Sequence, residues 1–182
     1  MVVARIWVVL VILAAFALQP LVTAPALAGA SVSAAVQTVS NPAGFSLLAP
    51  AAWHAGTVAP SGSLKQWLVS PDGKEALKVS AATQTIQSSD VGTFVTLFIG
   101  NISGSNPDLG SPQSVTIPGA GAATEQTLRY TDASGNRMVE TVLAAATGTT
   151  LYVLELVTPD SFAGQNAALI QTVLSSLQVG SG

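Results

Sequence analysis

Cysteine is absent from all 182 residues. No disulfide framework can support the fold, and covalent catalysis by a thiolate is excluded. Histidine occurs once, at His54, whereas a zinc centre typically draws on three or four nitrogen or sulfur ligands. Lysine and arginine number six and form no basic cluster. That argues against surfaces that neutralise nucleic-acid phosphates or anionic lipid. Nucleophile motifs are missing too. No glycine-x-serine-x-glycine elbow is present, and Gly62, Pro71 and Glu75 stand three residues before Lys65, Lys74 and Lys78 where a serine would be needed. Gly119-Ala120-Gly121 carries no lysine, so it is not a phosphate-binding loop. The residues call for no metal, no cofactor and no recognisable catalytic group.

What is present begins with a leader. Arg5 is the only charge before Lys65, and the thirteen residues from Ile6 to Leu18 are all apolar. That run is too short for a membrane-spanning helix, which needs about 20 residues. Gln19 and Pro20 interrupt it, and Ala24-Pro25-Ala26-Leu27-Ala28 supplies the small residues that a signal peptidase reads. Residues 1–28 are expected to be a secretory signal, cleaved after Ala28 or, nearly as well, after Ala30. The processed protein is then secreted or periplasmic and soluble, without the cysteine that a lipid anchor would use. Removing Arg5 leaves five basic side chains against nine carboxylates, a net charge near −4.

Residues 29–42 are small and polar and read as a flexible tether, with Val32, Val36 and Val39 offering an edge strand as the alternative. Residues 43–179 read as one domain. Strands are expected over Gly44 to Ala49, Leu64 to Val69 and Ala76 to Thr85, the last two joined by the Pro71-Asp72-Gly73 turn. Ser88-Ser89-Asp90 offers caps for a helix from Asp90 to Ile102, whose Val91, Phe94, Val95, Phe98 and Ile102 recur at helical spacing. The proline- and glycine-rich stretch from Ser105 to Gly121 should be mostly loop, with a short strand at Ser114 to Ile117. Strands follow at Ala123 to Thr131, Arg137 to Ala146 and Thr150 to Val157. The last is apolar on both faces, which implies layers above and below the sheet. A final helix runs from a Pro159-Asp160-Ser161 cap to Leu177, and Val179-Gly180 closes it. About six strands and two helices in this order predict an α+β fold, an antiparallel sheet with helices packed on it as an α/β/α sandwich.

Few side chains invite a functional reading. His54 could be a general base or a ligand; beside Trp53 it reads better as an exposed loop histidine. Trp53 and Trp67 could line a ligand pocket, or anchor the core. Asp132, Ser134 and Asn136 could hold calcium but read as an ordinary hairpin turn, because the later glutamate of a calcium loop is missing. Asp72, Lys74 and Glu75 read as a solvated hairpin tip.

Gly44-Phe45-Ser46, Pro50 and Trp53 resemble the first strand of the PsbP-like and Mog-like superfamily. The closing order is similar as well: a strand–turn–strand containing Tyr152, an aspartate-capped helix, and Leu174-Ser175-Ser176-Leu177. The likeness spans Asn41 to Val179 and includes no catalytic residue. It implies the sandwich fold and, since the superfamily is mostly non-enzymatic accessory proteins, an exported domain that binds another envelope or secreted protein. The alternative is a carrier of a small apolar ligand or lipid, held in a cleft between sheet and helix. Trp53, His54 and Trp67 are the candidate contact residues for either role.

Overall fold

The computed structural model describes residues 35–102 and 104–180. The expected signal and most of the expected tether lie outside the described residues. Strand β1 (Val36–Asn41) occupies the end of that tether, so the edge-strand alternative holds for Val36 and Val39. It pairs antiparallel with β2 (Phe45–Pro50), in register from Val36↔Pro50 to Asn41↔Phe45. The turn between them is fixed by Asn41, whose Oδ1 accepts from the Ala43 N–H at 3.0 Å.

The short β3 (His54–Ala55), β4 (Leu64–Val69) and β5 (Ala76–Thr83) begin the main sheet. A 3-10 turn at Ser88–Asp90 leads into α1 (Val91–Ile99). No side chain caps the start of α1, and its end comes three residues earlier than the periodicity predicts. Asn101 and Ile102 bond back three residues, to Phe98 and Ile99, so the chain tightens into turns after Gly100.

The segment expected to be mostly loop carries β6 (Ser105–Leu109) and β7 (Gln113–Val115), both on the outer edge of β8 (Ala122–Thr131). Proline argues against a central strand but is tolerated at an edge or a bulge. Pro107 lies where the β6–β8 register shifts, between Ser105 and Asp108. The meander then continues through β9 (Arg137–Ala146) and β10 (Thr150–Pro159). The expected last helix is two pieces, α2 (Asp160–Ala163) and α3 (Ala167–Ser175). Gly164 ends α2, and Asn166, which precedes α3, donates from its side chain to Glu75 at 2.8 Å. Residues 178–179 form β11 (Gln178–Val179), paired with β2 rather than closing a helix.

Eleven strands are described, in two sheets ordered β1-β2-β11 and β3-β4-β5-β10-β9-β8-β6, with β7 also on β8; every pairing is antiparallel. Strand β10 shows why the architecture is layered. Tyr152, Leu154 and Leu156 face one core with Leu77, Val79 and Leu143, closed by Phe45 and Leu47 of β2 and by Val173 and Leu174 of α3. Leu151 and Val153 face a second core with Val142 and Leu128, closed by Val91, Val95 and Ile99 of α1. Each large apolar side chain so buried contributes about 1.5–3 kcal/mol. The fold is α+β, and the layer opposite α1 combines α3 with the three-stranded sheet.

Candidate functional site

The three side chains singled out in the sequence do not converge. Trp53 is buried in the core beneath α3. With Pro50, Glu75, Leu156, Leu169, Ile170 and Val173 it lines a void of about 10 Å³, too small for any ligand beyond one water. His54 is exposed, on edge strand β3 rather than in a loop, with Nδ1 3.0 Å from the Ala55 carbonyl oxygen. Trp67 belongs to the other face of the main sheet, since it pairs in register with Lys78. Its ring lies flat on Gly56, where any Cβ would collide with the indole, and its buried Nε1 has no hydrogen-bond partner. Trp53 is a core anchor; Trp67 is half-buried and stacked on backbone.

Asp132 is consumed by its own turn. Oδ1 accepts from the Ser134 and Asn136 N–H groups, both at 2.8 Å, and Oδ2 from the Asn136 side chain at 3.2 Å. Slight burial works against the charged form, but these bonds win and hold the carboxyl below its usual range. No group of three or more potential ligands suited to a metal occurs among the described residues. A cleft of about 530 Å³ beside Ser40, Asn41, Pro42, Phe45 and Ser46 lies open to solvent on the β1–β2 hairpin, away from the sheet–helix interface.

Glu75 is not part of a solvated tip. Its Oε1 accepts from Thr158 Oγ1 and Asn166 Nδ2, each at 2.8 Å, tying the start of β5 to β10 and α3. Lys74 lies 5.2 Å above the Phe162 ring instead.

Two features were not singled out in the sequence. The first is a polar row buried in the α1-side core. Lys78 stands opposite Glu155, and Glu140 and Tyr130 continue diagonally across β9 and β8. Glu140 is 3% exposed and Glu155 9%, levels that carboxylates reach only when paired. Burial, then the neighbouring Glu155 charge, pushes Glu140 up to about 7. Burial raises Glu155 too, against the opposing pull of Lys78. Their signal was a lone carboxylate in each of two mostly apolar strands.

The second feature is the outer side of α1. Its core line is Val91, Val95 and Ile99, four residues apart, so Phe94 and Phe98 flank that line rather than sit within it. Both rings are only partly buried, 5.8 Å apart, and Leu97 beside them is 50% exposed. A surface helix ordinarily presents charge to water. From Val91 to Ile99 this helix has none, only Gly92, Thr93 and Thr96 among its apolar residues. That absence was readable in the sequence. On the opposite flank of α1 from the two rings, Thr96 donates to Gln126, which in turn donates to the Gly110 carbonyl, at 3.2 and 2.8 Å.

No family model and no curated protein sequence matches the chain. Solved structures do. Cyanobacterial PsbP (CyanoP) from Synechocystis sp. PCC 6803 superposes with a TM-score of 0.57 at 18% identity, covering 85% of this chain and 98% of that one. LpqN of Mycobacterium tuberculosis, a protein involved in cell envelope biogenesis, superposes at 0.56 and 15% identity, covering 82% and 92%. The chain has a PsbP-like fold. At these identities the likeness extends to the fold alone.

Proposed function

We propose that the chain is an exported, non-catalytic binding protein that docks on another envelope or secreted protein through the outer face of α1. The observation that carries this reading is the uncharged helix with Leu97 half exposed and Phe94 and Phe98 only partly buried beside it. Apolar surface of this kind on a charge-poor helix is what a partner buries at the centre of an interface. The leader at residues 1–28 supports export. The fold shared with LpqN supports a place in the cell envelope. The absence of nucleophile motifs and the isolation of exposed His54 support a non-enzymatic role. The carrier alternative gains nothing from the void at Trp53, which is far below the roughly 300–1,000 Å³ of ligand pockets.

The test is capture from solubilised envelope and culture supernatant of the source organism on the immobilised protein. One protein should be retained, displaced by free wild-type domain, and lost from Leu97→Asp but not from His54→Ala. Retention unaffected by Leu97→Asp moves the interface elsewhere. Capture of nothing, together with a thermal shift on adding a lipid or sugar, replaces this reading with the carrier.

A further inference from the structure

The row Lys78–Glu155–Glu140–Tyr130 joins four strands through side chains alone. Lys78 Nζ lies 3.9 Å from Glu155 Oε2, Glu140 shares a hydrogen bond with Glu155, and Tyr130 Oη donates to Glu140 Oε2 at 3.2 Å. Two carboxyl groups in mutual contact cannot both be acceptors, so one must supply a proton. Glu155 faces the ammonium of Lys78, which leaves Glu140 as the protonated donor. Among the described residues, the elements packed on the row bring no second cation. Helix α1 has no charge, β4 contributes Trp67, and the β8–β9 turn contributes only the negative Asp132 near Tyr130. Arg129, Arg137 and Glu125 alternate onto the opposite side of their strands, where Arg129 pairs with Asp160.

We propose that this row is a proton-operated latch: with one proton between Glu140 and Glu155 it locks β5, β10, β9 and β8 together beneath α1, and loss of that proton loosens the α1-side core. The deprotonated state buries two adjacent carboxylates against one ammonium, an arrangement that a low-dielectric core penalises. Water entry or outward movement of one carboxylate relieves it, at the expense of the packing around Leu128, Met138 and Val142 that shares that core. Tyr130 carries the effect to the chain leaving α1. Its ring fills the space beside Gly104, where a Cβ would collide with it, so movement of Tyr130 frees the turn between α1 and β6.

The direction follows from linkage. Glu140 binds its proton more tightly folded than unfolded, so the folded state holds more protons between the usual carboxylate range and about 7, and stability falls as pH rises through that window. Asp72 and Asp132 are shifted downward and titrate below it.

The experiment is thermal unfolding of the protein as its source cell produces it, at several pH values from 5.5 to 8. The melting temperature should fall by about 5 °C or more across that range. Glu140→Gln, which keeps a donor for Glu155 and an acceptor for Tyr130, should flatten the dependence and melt higher than wild type at pH 8. Should that variant not fold, Tyr130→Phe decides: removing the donor that favours ionised Glu140 should move the midpoint of the pH dependence upward. A flat wild-type profile, an undiminished slope in Glu140→Gln, or an unmoved midpoint in Tyr130→Phe overturns the latch. None of these outcomes depends on whether α1 binds a partner.

Discussion

Glu75 shows how one side chain can set the course of a distant segment. Thr158, 2% exposed, and Asn166 both donate to it. Truncation strands two donors, and the buried hydroxyl has no route to water. Glu75→Ala should lower stability by about 2–3 kcal/mol, whereas Glu75→Gln retains an oxygen acceptor and should cost about 1 kcal/mol. Urea midpoints with unchanged slopes measure both. His54→Ala, at an exposed edge position, should stay within about 0.5 kcal/mol of wild type in the same assay. At this scale the sequence was a partial guide. Trp53 in the core and His54 in solvent follow from a tryptophan anchor and a lone imidazole. Glu75 was misread because its partners lie 83 and 91 residues away, and no local pattern encodes such a pairing.

Elements were most legible where period and length agreed. The β4–β5 hairpin, the β8–β9–β10 meander and the two-sided burial of β10 are all present in the alternation of their residues. Segments that depend on pairing with something remote were not. Edge strands β6 and β7 carry no periodic signal, since β8 supplies their hydrogen bonds, and β11 exists because Val179 donates to Pro118 while Gly180 donates to Gly44. Helix α1 was placed correctly but its faces were not. Spacing alone groups Phe94 and Phe98 with Val91 and Val95; only the position of β8 and β9 reveals which line is buried. The consequence is testable on the element itself. Leu97→Asp should alter folding stability by no more than about 1 kcal/mol, because it removes little buried area. Val95→Ala, at a fully buried position of the same helix, should cost about 2 kcal/mol or more. Equal losses at both positions would mean that Leu97 belongs to the core.

The whole molecule is a sheet with a core on each face, and the two sides differ in character. Beneath α3 and the small sheet the packing is mostly apolar, with polar contacts at the Glu75 tie, between Thr127 and Thr141, and at Tyr152, whose hydroxyl donates to the Ala43 carbonyl at 3.0 Å. Beneath α1 a row of ionisable groups crosses four strands, under a helix whose outer face is uncharged and exposes Leu97 between threonines. The ionisable row and the half-exposed Leu97 thus share one side of the sheet, and the proposed binding role is placed there. The measurement that tests this most directly is photo-crosslinking in the source cells, with a photoreactive residue at position 97 and, as the control, at exposed Asp72. A single adduct from position 97, absent from position 72 and lost when Phe94 is changed to Asp, is the expected result. Adducts of equal yield from both positions, or from position 72 alone, would contradict it.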